Sequence, residues 1–233
     1  MTSAPSPATP AASAPRPLLV TDCDEVILHM IVPFGQWLDE RHAINLDLDA
    51  DELSDMLTHR DTGDRVDRER IWPLFEEFFE GEMDRQTPFA GAVEALTRIG
   101  ETADIVVLTN TGKAFETPRT RQLEAHGLSL RVVANSGSKG PPLAALIAEY
   151  RPSVALFIDD LPQHIQGAAD HAPECWRLHM VGEPQMARRV KPARHAHARI
   201  DHWAEALPYI LDIFARGEAA PASVSTPSVA SAV

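Results

Sequence analysis

The sequence predicts an α/β protein: a doubly wound parallel sheet with a small helical cap inserted after the first strand. Three observations carry this. Short apolar runs alternate with helical patterns along most of the chain, and such alternation places the strands in one mostly parallel sheet with helices on both faces. Residues 29–87 separate the first strand from the second by far more than a crossover helix needs, and they are themselves helical in pattern. A length of 233 residues, 44% hydrophobic, suits one domain carrying an insertion.

The strands are expected at residues 18–21, 105–108, 131–134, 155–158 and 175–178. Helices are expected at 91–100, 114–127, 142–150 and 162–169, with Gly127 as a C-terminal stop flanked by Leu123 and Leu128. A helix over 201–215 closes the fold, since Trp203, Leu207, Ile210, Leu211 and Phe214 form one apolar stripe at helical spacing. In the inserted stretch, Phe34, Trp37 and Leu38, then Leu74, Phe75, Phe78 and Phe79, carry the helical pattern. Pro73 is read as a helix start or kink, and Trp72 and Phe79 as core. The domain reading is a core of residues 17–28 and 88–216 and a cap of residues 29–87. The Ala-, Pro- and Ser-rich ends, 1–16 and 217–233, are read as disordered tails.

A formal net charge of −13 makes a broad nucleic-acid interface unexpected, because such a surface repels phosphate backbones. It leaves room for a small phosphorylated substrate, whose charge a metal ion and one lysine can offset locally. No apolar run reaches the ~18 residues of a membrane span. The N-terminal stretch has no charged start and no compact apolar segment, so it does not read as a secretory signal and a cytoplasmic location is expected. Cys23 and Cys175, the two cysteines, offer no disulfide framework or paired metal motif. His195, His197 and His202 are spaced poorly for zinc, and the polar run from His59 to Arg65 reads as a solvated loop.

Chemistry concentrates at strand ends. In open α/β sheets ligands bind outside the carboxyl ends of the strands. Asp22-Cys23-Asp24 ends the first strand, Thr109-Asn110 the second, and Asp159-Asp160 the fourth. Two carboxylates one residue apart can divide a reaction between attack and proton transfer. The spacing alone is weak: Asp47-Leu48-Asp49 and Asp49-Ala50-Asp51 repeat it and read as capping and solvation before a helical pattern. The acidic pair after a buried strand needs a positive partner, and a hard divalent cation such as Mg²⁺ suits it. Thr109 and Asn110 offer donors to phosphate oxygens. Lys139, in Ser136-Gly137-Ser138-Lys139-Gly140 before a helix, is preferred over Lys113 as the cation of the site.

These four segments, in this order, resemble the haloacid dehalogenase (HAD) superfamily. The first motif reads Asp22-Cys23-Asp24-Glu25-Val26, the second is Thr109, the third Lys139, and the fourth Asp159-Asp160. The likeness runs from Leu18 to about residue 215 and places the insertion where that family carries helical caps. It implies a Rossmann-like core and a Mg²⁺-dependent phosphatase acting on a small phosphomonoester. Asp22 would be the nucleophile that forms an aspartyl-phosphate, and Asp24 the acid and base. Thr109, Asn110 and Lys139 would hold the phosphoryl group. Asp22, the Asp24 backbone carbonyl, Asp159 and Asp160 would hold the metal. The dehalogenase branch lacks the second acid, so Asp24 favours phosphoryl transfer. Glu25 stands where the family usually has glycine. A phosphomutase of the same superfamily shares the first half of the chemistry. A phospho-aspartate switch domain shares the residue types but not their order.

Overall fold

The computed structural model describes residues 14–50 and 53–221. In chain order the elements are β1 (Leu18–Thr21), α1 (Ile31–His42), β2 (Ile44–Leu46), α2 (Leu53–Met56), β3 (Leu57–His59), α3 (Arg68–Gly81), α4 (Ala92–Gly100) and β4 (Asp104–Thr109). Then come α5 (Glu116–Ala125), β5 (Arg131–Ala134), α6 (Gly140–Tyr150), β6 (Ala155–Asp159), α7 (Pro162–His171), β7 (Trp176–His179), α8 (Pro184–Ala187), β8 (Ala198–Arg199) and α9 (Trp203–Arg216).

Among the described residues one parallel sheet runs in the order β5-β4-β1-β6-β7-β8. Because β1 is buried on both faces, all four of its residues are buried, and they alternate between two cores. Leu19 joins Val107, Leu156 and Ile158 beneath α4 and α9. Leu18 and Val20 join Val106, Leu108 and Phe157 beneath α6 and α7. The chain leaves β1 toward β4 on one side and later returns to β6 on the other. The crevice at the carboxyl end of β1 is therefore a topological switch point, the place where such sheets bind ligands.

The insertion has its own core, in which Phe34, Trp37 and Leu38 of α1 meet Leu74, Phe75 and Phe78 of α3. It is not purely helical as expected. Ala43 takes a left-handed conformation (φ 52°) that ends α1, and β2 and β3 then pair antiparallel, Leu46 opposite Leu57. Three-residue strands are too short to show a two-residue period, which is why the sequence hid them. Pro73 lies inside α3. Trp72, expected in the core, is 68% exposed, because Ile71, Leu74, Phe75 and Phe78 already form the buried stripe and Trp72 falls about 100° off it.

Other boundaries shift modestly. The strand expected at 175–178 is Trp176–His179, and the short β8 joins as an unforeseen edge strand. The described parts of both tails are attached to the core. Arg16 bonds Asp104 and the carbonyls of Gly100 and Ala103, while Trp176 Nε1 donates to Glu218 O and Ala220 N to Glu174 O. The rest of both tails, and Asp51 and Glu52 of the acidic run, lie outside the described residues. No helix among the described residues is long and apolar enough to cross a membrane.

Candidate active site

The fold brings the strand-end residues together. Lys139 Nζ lies 2.7 Å from Asp22 Oδ1 and 2.8 Å from Asp159 Oδ2. Lys113, the rival cation, is on the surface and pairs with Glu116. Lys139 immediately precedes α6, which approaches α7 so closely that a Cβ on Gly140 would fall 2.4 Å from Gly167 O. Only glycine permits that approach, and the approach delivers a long side chain 1% exposed into the site.

Asp22 continues β1, its N–H donating to Ile158 O across the sheet. Its Oδ1 accepts from Lys139 and from Cys23 N (2.7 Å), so both contacts fall on one oxygen and Oδ2 takes neither. Asp159 Oδ1 accepts from Leu161 N, which fixes the turn into α7. Asp160 is half-buried, and its carbonyl accepts from His179 Nε2. His179 Nδ1 accepts from Ala193 N, so the proton of this buried imidazole belongs on Nε2, the donor to Asp160.

Ligand oxygens of Asp22, Asp159 and Asp160 lie within 4.8 Å of one another. Three carboxylates share one ammonium, and the electrostatics record the surplus. Burial pushes Asp22 up to about 6, with Asp159 and Asp24 adding to the rise and Lys139 opposing it. Burial raises Asp159 as well. Asp160 is raised well above its ordinary value, through burial of its carboxyl and the neighbouring Asp159 and Asp22. Burial disfavours charge on Lys139, but Asp159 and Asp22 outweigh it and hold the ammonium above its usual range. An all-oxygen donor set with excess negative charge fits a hard divalent cation.

Asp24 faces a different set of partners. Arg119 Nη2 donates to both of its oxygens, at 2.8 and 2.9 Å, and Gln86 Nε2 donates to Oδ1 at 2.7 Å. Thr109 Oγ1, fully buried, is 3.5 Å from Oδ2. The two acids one residue apart are thus held by separate cations. Asp24's place in the expected metal set was through its backbone carbonyl, and its carboxylate is occupied by Arg119. Sequence reading missed Arg119, Gln86 and Gln122. A signal was present: α5 carries a single large apolar residue, Leu123, so its inward face had to bury polar ones, and it buries Arg119 and Gln122.

The Asn110 side chain is engaged with its neighbours. Its Nδ2 donates to Gly137 O and contacts His164 Nε2, and its Oδ1 accepts from Asn135. That side chain braces the loop leading to Lys139, which leaves the backbone N–H as the group Asn110 can offer to phosphate. Burial and the nearby Lys139 bring His164 down to about 4. Cys23 is buried, and burial raises its thiol well above the usual range, so it is inert packing beside the site. The decoy aspartates Asp47 and Asp49 lie in the cap's turn, where Asp47 accepts from Asp49 N. His195, His197 and His202 gather no metal site: His197 Nδ1 accepts from Arg177 N, and among the described residues only the aspartate cluster has ligand spacing.

Glu25 explains its own departure from glycine. Its φ is 61°, a left-handed conformation that disfavours side chains by roughly 1–2 kcal/mol. The carboxylate offsets this by accepting from Met30 N (2.8 Å) and Ile31 N (2.7 Å), capping the first cap helix. Burial pushes Glu25 up to about 7 against those two bonds. A group raised above its unfolded value favours the fold at low pH and loses that contribution as pH rises through the folded value. Glu25→Gln, which keeps Oε1 as acceptor, is therefore expected to match wild type below pH 4.5. By pH 8 it should exceed wild type in stability by ~3 kcal/mol at most. Denaturant titrations of both proteins across pH 4–8 check this; a gap that does not open with pH contradicts it.

No protein-family model matches the sequence, and neither does any curated protein sequence. Solved structures do match. A hydrolase described as a haloacid dehalogenase-like family protein, SP0104 from Streptococcus pneumoniae, superposes with a TM-score of 0.58 at 10% identity, covering 83% of this chain and 97% of that one. A HAD-superfamily hydrolase, subfamily IA, variant 1, from Geobacter sulfurreducens gives 0.53 at 17% identity, covering 88% and 99%. YfnB from Bacillus subtilis, bound to magnesium, gives 0.58 at 17% identity, covering 86% and 100%. The chain has the haloacid dehalogenase-like fold.

Proposed function

We propose that this haloacid dehalogenase-like chain is a hydrolase that removes phosphate from a small phosphomonoester, with Asp22 as nucleophile and Mg²⁺ as cofactor. One observation carries the reading: the two acids flanking Cys23 at the switch point are divided between two cations, Asp22 with Lys139 and Asp24 with Arg119. That division is what a nucleophile and a separate proton-transfer group require.

Asp22 attacks phosphorus through a carboxylate oxygen, and the bond between phosphorus and the ester oxygen breaks. The electron pair stays on that oxygen, which takes a proton from Asp24. Water then attacks the aspartyl-phosphate at phosphorus and gives its proton to Asp24. The bond from phosphorus to Asp22 breaks, returning the carboxylate and releasing phosphate. Lys139 and Thr109 neutralise and orient the phosphoryl oxygens. Mg²⁺, held by Asp22, Asp159 and Asp160, would supply positive charge that lets an anionic nucleophile approach an anionic substrate. The magnesium-bound form of the structurally similar YfnB supports that assignment. A phosphorylated small molecule is the partner this reading requires, and an acidic chain of charge −13 disfavours nucleic acid.

A panel of phosphomonoesters assayed with Mg²⁺ and with EDTA tests this. Phosphate release from at least one ester is expected, falling about 100-fold or more on chelation and returning with Mg²⁺. No release from any ester contradicts the reading.

A further inference from the structure

The environment of Asp24 carries more than its identity as a proton-transfer group. Arg119 is fully buried, and its Nη2 forks across both Asp24 oxygens. Its Nη1 donates to Gln86 Oε1 (2.9 Å) and Gln122 Oε1 (2.8 Å), while Nε has no hydrogen-bond partner among the described residues. Gln86, also fully buried, donates to Asp24 Oδ1 and to His29 O, so both linkers of the cap meet at this carboxylate. A buried ion pair adds little net stability, and an orphaned N–H subtracts from it, so packing alone does not account for Arg119.

The lone pairs single out one oxygen. Oδ1 accepts at 2.7 and 2.8 Å and is saturated. Oδ2 accepts one short bond, with only the Thr109 hydroxyl at 3.5 Å beyond it. We infer that Arg119 and Gln86 are positioning residues for the second chemical step. They lock the Asp24 carboxylate so that Oδ2 alone, on the Thr109 side, takes the proton of the water that cleaves the aspartyl-phosphate. In that step the water O–H bond breaks, a bond forms from water oxygen to phosphorus, and the bond from phosphorus to Asp22 breaks with its pair returning to Asp22. The inference rests on the phosphatase reading above.

Arg119→Lys keeps the charge and removes the fork; Gln86→Leu removes the second donor in a separate protein. p-Nitrophenyl phosphate is the probe, because its leaving group departs without a proton and kcat/KM then reports only the first step. Each variant is expected to lose about 100-fold in kcat while kcat/KM changes less than about threefold. A burst of nitrophenol equal to the enzyme present is also expected, as phospho-Asp22 accumulates. A structural role would lower kcat/KM together with kcat, or reduce the folded fraction without changing KM. That result, or an unchanged kcat, overturns the inference. If Arg119→Lys does not fold, Gln86→Leu decides alone. Wild type that hydrolyses no ester at all refutes the phosphatase reading instead, and the inference falls with it.

Discussion

Asp22→Asn is expected to lower phosphate release by about 10⁴-fold or more while leaving the fold as stable as wild type or more stable. The first half follows from chemistry, since an amide oxygen does not attack phosphorus, and two neighbouring carboxylates are already engaged: Asp159 by Lys139 and Leu161 N, and Asp24 by Arg119. The second half follows from the electrostatics. Burial holds Asp22 up to about 6, so as pH rises through 6 the wild-type protein carries a charge its surroundings oppose. Below the unfolded value near 3.8 the carboxyl is neutral in both states and the variant gains nothing. Above pH 6 the gain is on the order of 2–3 kcal/mol at most in metal-free protein. Asparagine leaves Lys139 paired with Asp159 at 2.8 Å. Urea titrations at pH 4 and pH 7.5, beside a phosphate-release assay, check both halves. Lost activity with lost stability at pH 7.5 contradicts the account.

Lys139→Met is expected to abolish activity and to move stability the other way. Removing the ammonium leaves Asp22, Asp159 and Asp160 facing one another with no cation, and breaking a buried pair from one side costs about 3–5 kcal/mol. The loss is largest near neutral pH and shrinks toward pH 4, where the raised carboxyls take up protons. Turnover is expected to fall by about 10³-fold, because the proposed reaction loses the ammonium that would neutralise the phosphoryl oxygens. Lys139→Arg is expected to rescue neither property, because a planar guanidinium does not reproduce a compact ammonium held 2.7 Å from Asp22 and 2.8 Å from Asp159. Two inactive variants with opposite stability changes mark a site in which catalytic charge is gathered against the preference of the fold.

The sheet was legible because strands buried on both faces must be continuous apolar runs, and Leu18–Val20, Val106–Leu108 and Ala155–Ile158 are such runs. The parallel topology then forced Asp22, Thr109 and Asp159 to one edge, and Lys139 came with the loop before α6. What the sequence hid was side-chain partnership across distance. Arg119 is 95 positions from Asp24 and Gln86 is 62, and no local period records such a meeting. The bracing role of the Asn110 side chain was hidden for the same reason, since its partners Gly137 and His164 are fixed by a loop path rather than a pattern. Glu25 was visible as the residue out of place. Its left-handed backbone and its role as cap of α1 became readable only when Met30 and Ile31 were seen to turn their N–H groups toward it.

As the proposed nucleophile, Asp22 is expected to become covalently phosphorylated during turnover. Acid quenching of the protein during steady-state hydrolysis of a ³²P-labelled ester in Mg²⁺, followed by peptide mapping, measures this directly. Label is expected on the peptide carrying Asp22, released by base as an acyl phosphate would be, and absent from Asp22→Asn. Label on another residue, or hydrolysis that continues in Asp22→Asn, would contradict it.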